Sequence, residues 1–323
     1  MSVATSLLAV GFGLVVLGIG AESLVRGGVR LARNLGVTPL AVGLTVVAYG
    51  TSAPEMMASV IAGFYHHPDI TLGNVVGSNI ANIGLILGVT ALLAPFAVPS
   101  RLIRREVVFM FAVTLLFYGM AWRGTFTRGA GVFLLAALGA FNVLSLWWAR
   151  REPLSMQEEY CTYEEETVGG APSPLSRDLV LVALGFGLLF AGGHFLVTGA
   201  ITIARKGGVS DTVIGLTLVA LGTSLPELAT SIVAALRKEG AICVGNLVGS
   251  NLFNILGAVG LSAAIRPFPA RPSLLSYEFP SLLLFTAAMG FVLLTGKRIR
   301  RGEGVFLLAG YVLFMALLFL RAS

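Results

Sequence analysis

The sequence predicts an all-α polytopic membrane protein: ten transmembrane helices, forming two inverted five-helix repeats with discontinuous helices at the core. Three observations carry that prediction. Charge is scarce, since 22 Lys and Arg plus 16 Asp and Glu make up 12% of 323 residues, against about 25% in soluble domains. Apolar residues reach 56%, and mean hydropathy is +0.89. The chain also repeats itself at a constant offset of 172 positions, with the same polar motif inside apolar runs both times. Too little charge is present to coat a soluble globule of this size. A cytosolic enzyme, a nucleic-acid module and a disordered chain are thereby excluded. The net charge of +6 reads as a topology signal. Cys161 and Cys243 are too few for a disulfide framework, and 40 glycines suit close helix packing in lipid.

A helix needs roughly 20 apolar residues to cross about 30 Å of hydrocarbon. Ten such runs lie near 3–24, 38–64, 71–94, 106–122, 129–149, 178–199, 211–236, 241–265, 274–295 and 303–320. The first lacks a basic flank and is too long for a signal peptide, so it is expected to stay in place. Fifteen of the 22 basic residues fall on one side: Arg26, Arg30, Arg33, Arg101, Arg104, Arg105, Arg150, Arg151, Arg177, Arg237, Lys238, Lys297, Arg298, Arg300 and Arg301. Arg123, Arg128, Arg205, Lys206, Arg266, Arg271 and Arg321 fall on the other. The excess of positive charge marks the cytoplasmic face and places both termini outside the cytoplasm.

The repeat sets the domains: a first five-helix unit over 1–149, an acidic cytoplasmic linker over 150–177, and a second unit over 178–323. The linker carries Glu152, Glu158, Glu159, Glu164, Glu165 and Glu166 with a Gly/Pro-rich end and no EF-hand spacing, so it reads as a solvated loop. Gly43–Ile83 aligns without gaps on Gly215–Ile255, and GLTVVAYGTSAPE answers GLTLVALGTSLPE. GNVVGSNIANI likewise answers GNLVGSNLFNI. Five spans per copy is odd, so the second copy enters the membrane upside down. Secondary transporters share that architecture and place their site where the broken helices of both copies meet.

The chemistry sits in the repeated motif. Glu55 and Glu227 lie inside apolar runs, where an uncompensated carboxylate costs about 3 kcal/mol or more. No basic residue is near either one in its own span, so a proton or a bound cation must compensate. The local sequence favours a cation. Gly50-Thr51-Ser52-Ala53-Pro54 and Gly222-Thr223-Ser224-Leu225-Pro226 should break the helix just before each Glu. Carbonyls around Ala48–Thr51 and Ala220–Thr223 would then be free to coordinate. Ser78 and Asn82 are four residues apart, as are Ser250 and Asn254, so each pair shares a helix face. Carboxylates, hydroxyls, amide oxygens and carbonyls form a hard, all-oxygen set that suits Ca²⁺ or Na⁺. No Cys/His cluster supports zinc or copper.

Other residues read more plainly. Glu22 and His194 occupy matching places and are expected to make inter-helix polar contacts. His66-His67-Pro68-Asp69 reads as an exposed turn, Cys243 as packing, and Glu106 and Glu278 as interfacial ion-pair partners. Trp122, Trp147 and Trp148 fall at span ends, where aromatic belts form. A channel would more often build its pore from several subunits. An intramembrane enzyme lacks both an HExxH pair and a nucleophile with a paired His.

The paired GTSxPE and GNxxGSNxxN segments resemble the α-repeats of the cation/calcium antiporter superfamily, in its sodium/calcium exchanger branch, and of its prokaryotic type. The resemblance covers nearly the whole chain. It implies Glu55 and Glu227 as acidic Ca²⁺ ligands; Thr51, Ser52, Thr223, Ser224, Ser78 and Ser250 as hydroxyl and backbone ligands; Ala48 and Ala220 as carbonyls for Na⁺; and Asn82 and Asn254 as the remaining central pair. Potassium-dependent relatives and some prokaryotic exchangers carry Asp at the position of Asn254, so Asn254 implies a potassium-independent exchanger. The family exchanges three Na⁺ for one Ca²⁺ by sliding its first and sixth helices across a rigid core, normally extruding calcium. Ca²⁺ and Na⁺ are then the transported partners and the lipid bilayer the surroundings. No cofactor, no enzymatic activity and no nucleic acid are expected, a monomer is the expected unit, and the location is a prokaryotic inner membrane. Exchange of Ca²⁺ against protons, or exchange of another divalent cation such as Mg²⁺, is the alternative.

Overall fold

The computed structural model describes residues 2–65, 67–97, 100–151, 174–208, 220–270, 272–295 and 298–322. They are helical apart from short turns and four two-residue strands. Helix α1 spans Val3–Leu35, opened by Ser2, whose hydroxyl accepts the Thr5 N–H, and closed by Gly36 in the left-handed region at φ 63°. Then come α2 (Pro39–Thr51), α3 (Ala53–Phe64) and α4 (Pro68–Leu93). Strand β1 (Phe96–Ala97), α5 (Ser100–Trp122), β2 (Thr125–Phe126) and α6 (Arg128–Ala149) complete the first half. The second half holds α7 (Leu175–Lys206), α8 (Ala220–Thr223), α9 (Leu225–Leu236) and α10, which runs over Gly240–Ile265. Strand β3 (Phe268–Pro269), α11 (Pro272–Ser276), α12 (Glu278–Thr295), β4 (Arg298–Ile299) and α13 (Arg301–Ala322) follow.

Among the described residues, seven helices are long and apolar enough to cross a membrane: α1, α4, α5, α6, α7, α10 and α13. The runs expected near 38–64, 211–236 and 274–295 appear as shorter apolar pieces: α2 with α3, α9, and α12. Residues 152–173, which contain Cys161 and most of the expected linker, lie outside the described residues. So do His66 and 209–219.

The first expected run was too short. Helix α1 continues through Arg26, Arg30 and Arg33, which ride its last turns rather than a connection. Its 33 residues rise about 50 Å, more than the hydrocarbon thickness, so its basic end stands clear of the apolar layer.

Helix α10 is the centre. All thirteen residues of Gly240–Leu252 are buried. Helix α2 packs along it closely because a Cβ on Gly245 would lie 2.8 Å from the Leu40 carbonyl, a separation real atoms do not tolerate. Helices α3 and α9 lean on α4 and α10 respectively, and α6, α12 and α13 surround this core. Outside it, α1 and α7 form the most extensive helix pair. They run antiparallel and meet along glycines spaced seven apart: Gly13, Gly20 and Gly27 on α1, and Gly185, Gly192 and Gly199 on α7. A Cβ on Gly13 would stand 2.7 Å from the Gly192 carbonyl. Asn34 also donates to the Asp178 carboxylate across the pair. The outward faces of α1, α6, α7 and α13 expose large apolar side chains such as Leu8, Val15, Val143, Leu184 and Leu320.

Two short ribbons close opposite ends of α5. Strand β1 pairs with β4, placing Ala97 opposite Arg298. Strand β2 pairs with β3, placing Phe126 opposite Phe268. The basic residues that the sequence assigns to different faces therefore separate: Arg298, Arg300 and Arg301 gather at the β1–β4 end with Arg104 and Arg105 at the head of α5, while Arg123, Arg128 and Arg266 gather at the β2–β3 end. Trp122, Trp147 and Trp148 stand at helix ends, and Arg105 and Arg151 lie over the Trp148 and Trp147 rings at 4.8 and 3.9 Å.

Candidate functional site

Both glutamates are buried, each only 1% exposed. Each opens a helix: Glu55 sits in the first turn of α3 and Glu227 in the first turn of α9, behind Pro54 and Pro226. The proline-induced break is narrow. Among the described residues next to the two prolines, only Ser52 (φ −85°, ψ 6°) and Ser224 (φ −90°, ψ 5°) leave helical geometry. A wider unwinding was expected, with the Ala48 carbonyl free. That carbonyl instead accepts the Ser52 N–H at 3.0 Å and the Thr51 hydroxyl at 3.3 Å. Both of its lone pairs are thus engaged, and a cation there would take the place of the Thr51 hydroxyl proton, which Asn246 Oδ1 also accepts. On the other side, the Ser224 N–H bonds to the Leu221 carbonyl, 3.2 Å away.

The two copies are tied by crossed hydrogen bonds. Ser52 donates to Glu227 Oε1 at 2.8 Å, and Ser224 donates to Glu55 Oε1 at 3.0 Å. Adding 172 to Ser52 and subtracting it from Glu227 gives Ser224 and Glu55, the residues of the other bond. Each carboxylate therefore lies within one hydrogen bond of the break that precedes the opposite carboxylate. Thr51 donates to Asn246 Oδ1 at 3.1 Å, and the Asn246 amide donates to Ser231 at 3.2 Å. In the matching place, Asn74 donates to the Glu55 carbonyl at 3.0 Å and to Ser59 at 2.9 Å.

The second motif lies alongside. Ser78, Asn82, Ser250 and Asn254 are all buried. The chain winds into π-helical turns over Gly43–Val47, Asn82–Leu87 and Phe253–Val259, each carrying or adjoining motif residues. The Asn254 amide donates to Ser78 Oγ at 3.0 Å and to Asn79 Oδ1 at 3.1 Å; that of Asn82 donates to Asn251 Oδ1 at 3.0 Å. Among the described residues, Glu55 Oε2, Glu227 Oε2, Asn82 Oδ1, Asn254 Oδ1 and Ser250 Oγ are buried without a hydrogen-bond partner. An unpartnered buried oxygen is costly. Five of them, all on motif residues, form a donor set that a hard cation would satisfy. Glu22 takes up its expected inter-helix role through Arg237 at the end of α9 as well as Arg26 on its own helix. Cys243 is fully buried, as packing requires.

The chain matches the family model described as sodium/calcium exchanger protein over residues 5–147 and 178–320. It belongs to the sodium/calcium exchanger family. A putative antiporter, CaxA, of Alkalimonas amylolytica is 40% identical over 322 residues, which is 99% of either chain. Inner membrane protein YrbG of Escherichia coli (strain K12) is 36% identical, over 99% of this chain and 98% of its own. A solved structure of the sodium-calcium exchanger NCX_Mj, soaked with zero Na⁺ and Ca²⁺, superposes with a TM-score of 0.83 at 30% identity. It covers 98% of this chain and 99% of that one. The break in the family match, between 147 and 178, coincides with the acidic stretch between the two repeats. As a member of this exchanger family the chain is an integral membrane protein, and the family is one of transporters rather than enzymes.

Sequence reasoning passed over four asparagines inside its own motifs. Asn74, Asn79, Asn246 and Asn251 were not singled out, yet each makes hydrogen bonds to motif residues. Their signal was present, since 74 and 79 map onto 246 and 251 at the repeat offset. Tyr49 was passed over as well. It stacks on Phe253 with ring centroids 4.3 Å apart and accepts a hydrogen bond from Asn142.

Proposed function

We propose that the chain is a secondary antiporter that exchanges Na⁺ for Ca²⁺ by alternating access, independently of potassium, normally extruding calcium across a prokaryotic inner membrane, with both termini outside the cytoplasm. The observation that carries the proposal is the set of five unpartnered buried oxygens, which includes one oxygen of each carboxylate. Ionised Glu55 and Glu227 supply a charge of about −2, so one Ca²⁺ or two Na⁺ neutralise them. Thr51, Ser52, Thr223, Ser224, Ser78, Ser250 and the carbonyls of Ala48 and Ala220 give further oxygens for a third Na⁺. Shared ligands force the two ions to compete, and competition at one site gives exchange rather than co-transport. Empty carboxylates are costly to move through a low-dielectric layer, which suppresses leak.

The two-repeat architecture, with units over 1–149 and 178–323, supports alternating access. Its support is the mirrored bonding: the Ser52–Glu227 and Ser224–Glu55 bonds, the Asn254–Asn79 and Asn82–Asn251 bonds, and the β1–β4 and β2–β3 ribbons. One departure from the mirror also fits. Helix α1 packs along α9, secured by Glu22 and Arg237, while among the described residues α7 makes no comparable packing along α3. An asymmetric fit of this kind closes one approach to the glutamates more tightly than the other.

The test is Ca²⁺ uptake into proteoliposomes loaded with Na⁺ and diluted into Na⁺-free medium. Uptake that collapses when the Na⁺ gradient is removed supports the proposal. Uptake driven equally well by a pH gradient without Na⁺ would instead favour proton exchange.

A further inference from the structure

We propose that Asn79 and Asn251 are positioning residues for ion binding, holding the amides of Asn254 and Asn82 in the one orientation that turns oxygen, and not nitrogen, toward the cation. This rests on the cation-exchange reading above. An asparagine amide has a donor end and an acceptor end of nearly the same shape, and only the acceptor end can face a cation. Something must therefore choose between them at each of these two positions.

The choice is traceable to a backbone carbonyl, a group that only accepts. Asn79 Nδ2 donates to the Asn251 carbonyl at 3.1 Å. Turning Asn79 over would set oxygen against oxygen there, so its Oδ1 is fixed on the other side. That Oδ1 faces Asn254, whose near atom must then be the donor Nδ2, at 3.1 Å. A second constraint agrees: Ser78 spends its hydroxyl proton on the Val75 carbonyl at 3.2 Å, leaving Oγ to accept from Asn254 Nδ2 at 3.0 Å. Asn254 Oδ1 is left over, buried and without a partner among the described residues. Across the repeat the constraint is looser, with a weakly accepting sulfur in place of the carbonyl and no serine bond beside it. Asn251 Nδ2 points at the Met110 sulfur, 3.8 Å away, so its Oδ1 accepts from Asn82 Nδ2 at 3.0 Å, leaving Asn82 Oδ1 unpartnered. Asn79 and Asn251 are buried at 0% and 2% exposure, so water does not take their place. Each copy of the motif thus orients the amide of the other, and a cation bound between them meets two oxygens already turned inward.

The test is a double-mutant cycle read by equilibrium Ca²⁺ binding, with Na⁺ competition, on the purified full-length chain. Loss of an outer partner of a metal ligand weakens affinity roughly 10–100-fold, and Asn79→Ala should fall in that range. Asn254→Asp presents two equivalent oxygens and no donor end, one of them against Asn79 Oδ1, so adding Asn79→Ala to it should cause no further loss of affinity. Asn251→Ala, with and without Asn82→Asp, repeats the cycle from the other copy and serves if one variant does not fold. Wild-type affinity in both alanine variants would overturn the positioning role, as would an equal loss with and without the aspartate, which marks packing alone. Absence of both Ca²⁺ and Na⁺ binding by the wild-type chain would overturn the exchange reading itself, and the positioning role with it.

Discussion

At the scale of single residues, the proposed exchange rests on Glu55 and Glu227. Glu55→Gln keeps the shape and hydrogen-bonding reach of the side chain but removes the charge that a divalent ion neutralises, and Glu227→Gln does the same. Each should reduce Na⁺-driven Ca²⁺ uptake to the level of empty vesicles, and full activity in both variants would move the site elsewhere. The crossed serines act through the carboxylates. Ser52→Ala leaves Glu227 Oε1 without its donor, at a cost of about 1.5–3 kcal/mol for a bond to a charged group, so Ca²⁺ affinity should fall by tenfold or more in binding titrations. Asn254 carries a neutral amide where a potassium site would use a carboxylate. Uptake rates should be the same with and without K⁺, and strict dependence on K⁺ would contradict that reading. Glu55 and Glu227 were legible in the sequence because a carboxylate inside an apolar run needs a reason. Asn79 and Asn251 were not, because the role of an amide depends on which end it presents, and only the hydrogen-bond partners reveal that.

At the scale of elements, the glycine face between α1 and α7 is the feature most open to test. A leucine at Gly20 would be forced against the Leu189 backbone, since even a Cβ there comes within 2.8 Å of its nitrogen. Overpacking of this kind costs about 1–3 kcal/mol. Gly20→Leu should lower the thermal unfolding midpoint and the transport rate, whereas Gly18→Leu, where a Cβ meets nothing within 4 Å, should leave both near wild type. Equal tolerance at the two positions would argue that the helices do not rely on that face. The long apolar runs made the spanning helices readable, and Gly-Thr-Ser-x-Pro-Glu marked where α2 gives way to α3. The π-helical turns over Asn82–Leu87 and Phe253–Val259 were not readable. One extra residue per turn leaves the hydropathy of a fully buried helix unchanged, and α10 has no exposed face whose shift would show. The length of α1 was misjudged for a related reason: Arg26, Arg30 and Arg33 end an apolar run without ending a helix, because long basic side chains can extend into water from helical backbone.

At the scale of the whole molecule, the mirrored bonds join the two repeats around one candidate site, and the exchange proposed for it moves charge. Three Na⁺ for one Ca²⁺ carries one net positive charge with the sodium. In Na⁺-loaded vesicles an inside-positive potential should therefore speed Ca²⁺ uptake and an inside-negative potential should slow it. Indifference to potential would point to two Na⁺ per Ca²⁺. The repeat itself was plain in the sequence from its constant offset; the crossing of its contacts needed coordinates, because the offset says which residues correspond and not which ones touch. The central claim is that Na⁺ and Ca²⁺ compete for the oxygens of Glu55, Glu227, Asn82 and Asn254. Ion density in crystals grown in Ca²⁺ and then soaked in Na⁺ tests it most directly. The account predicts one strong peak bonded to both carboxylates at about 2.3–2.6 Å in Ca²⁺, replaced in Na⁺ by weaker peaks on either side of the same oxygens. A Ca²⁺ peak that touches neither glutamate, or Ca²⁺ and Na⁺ peaks that share no ligand, would contradict it.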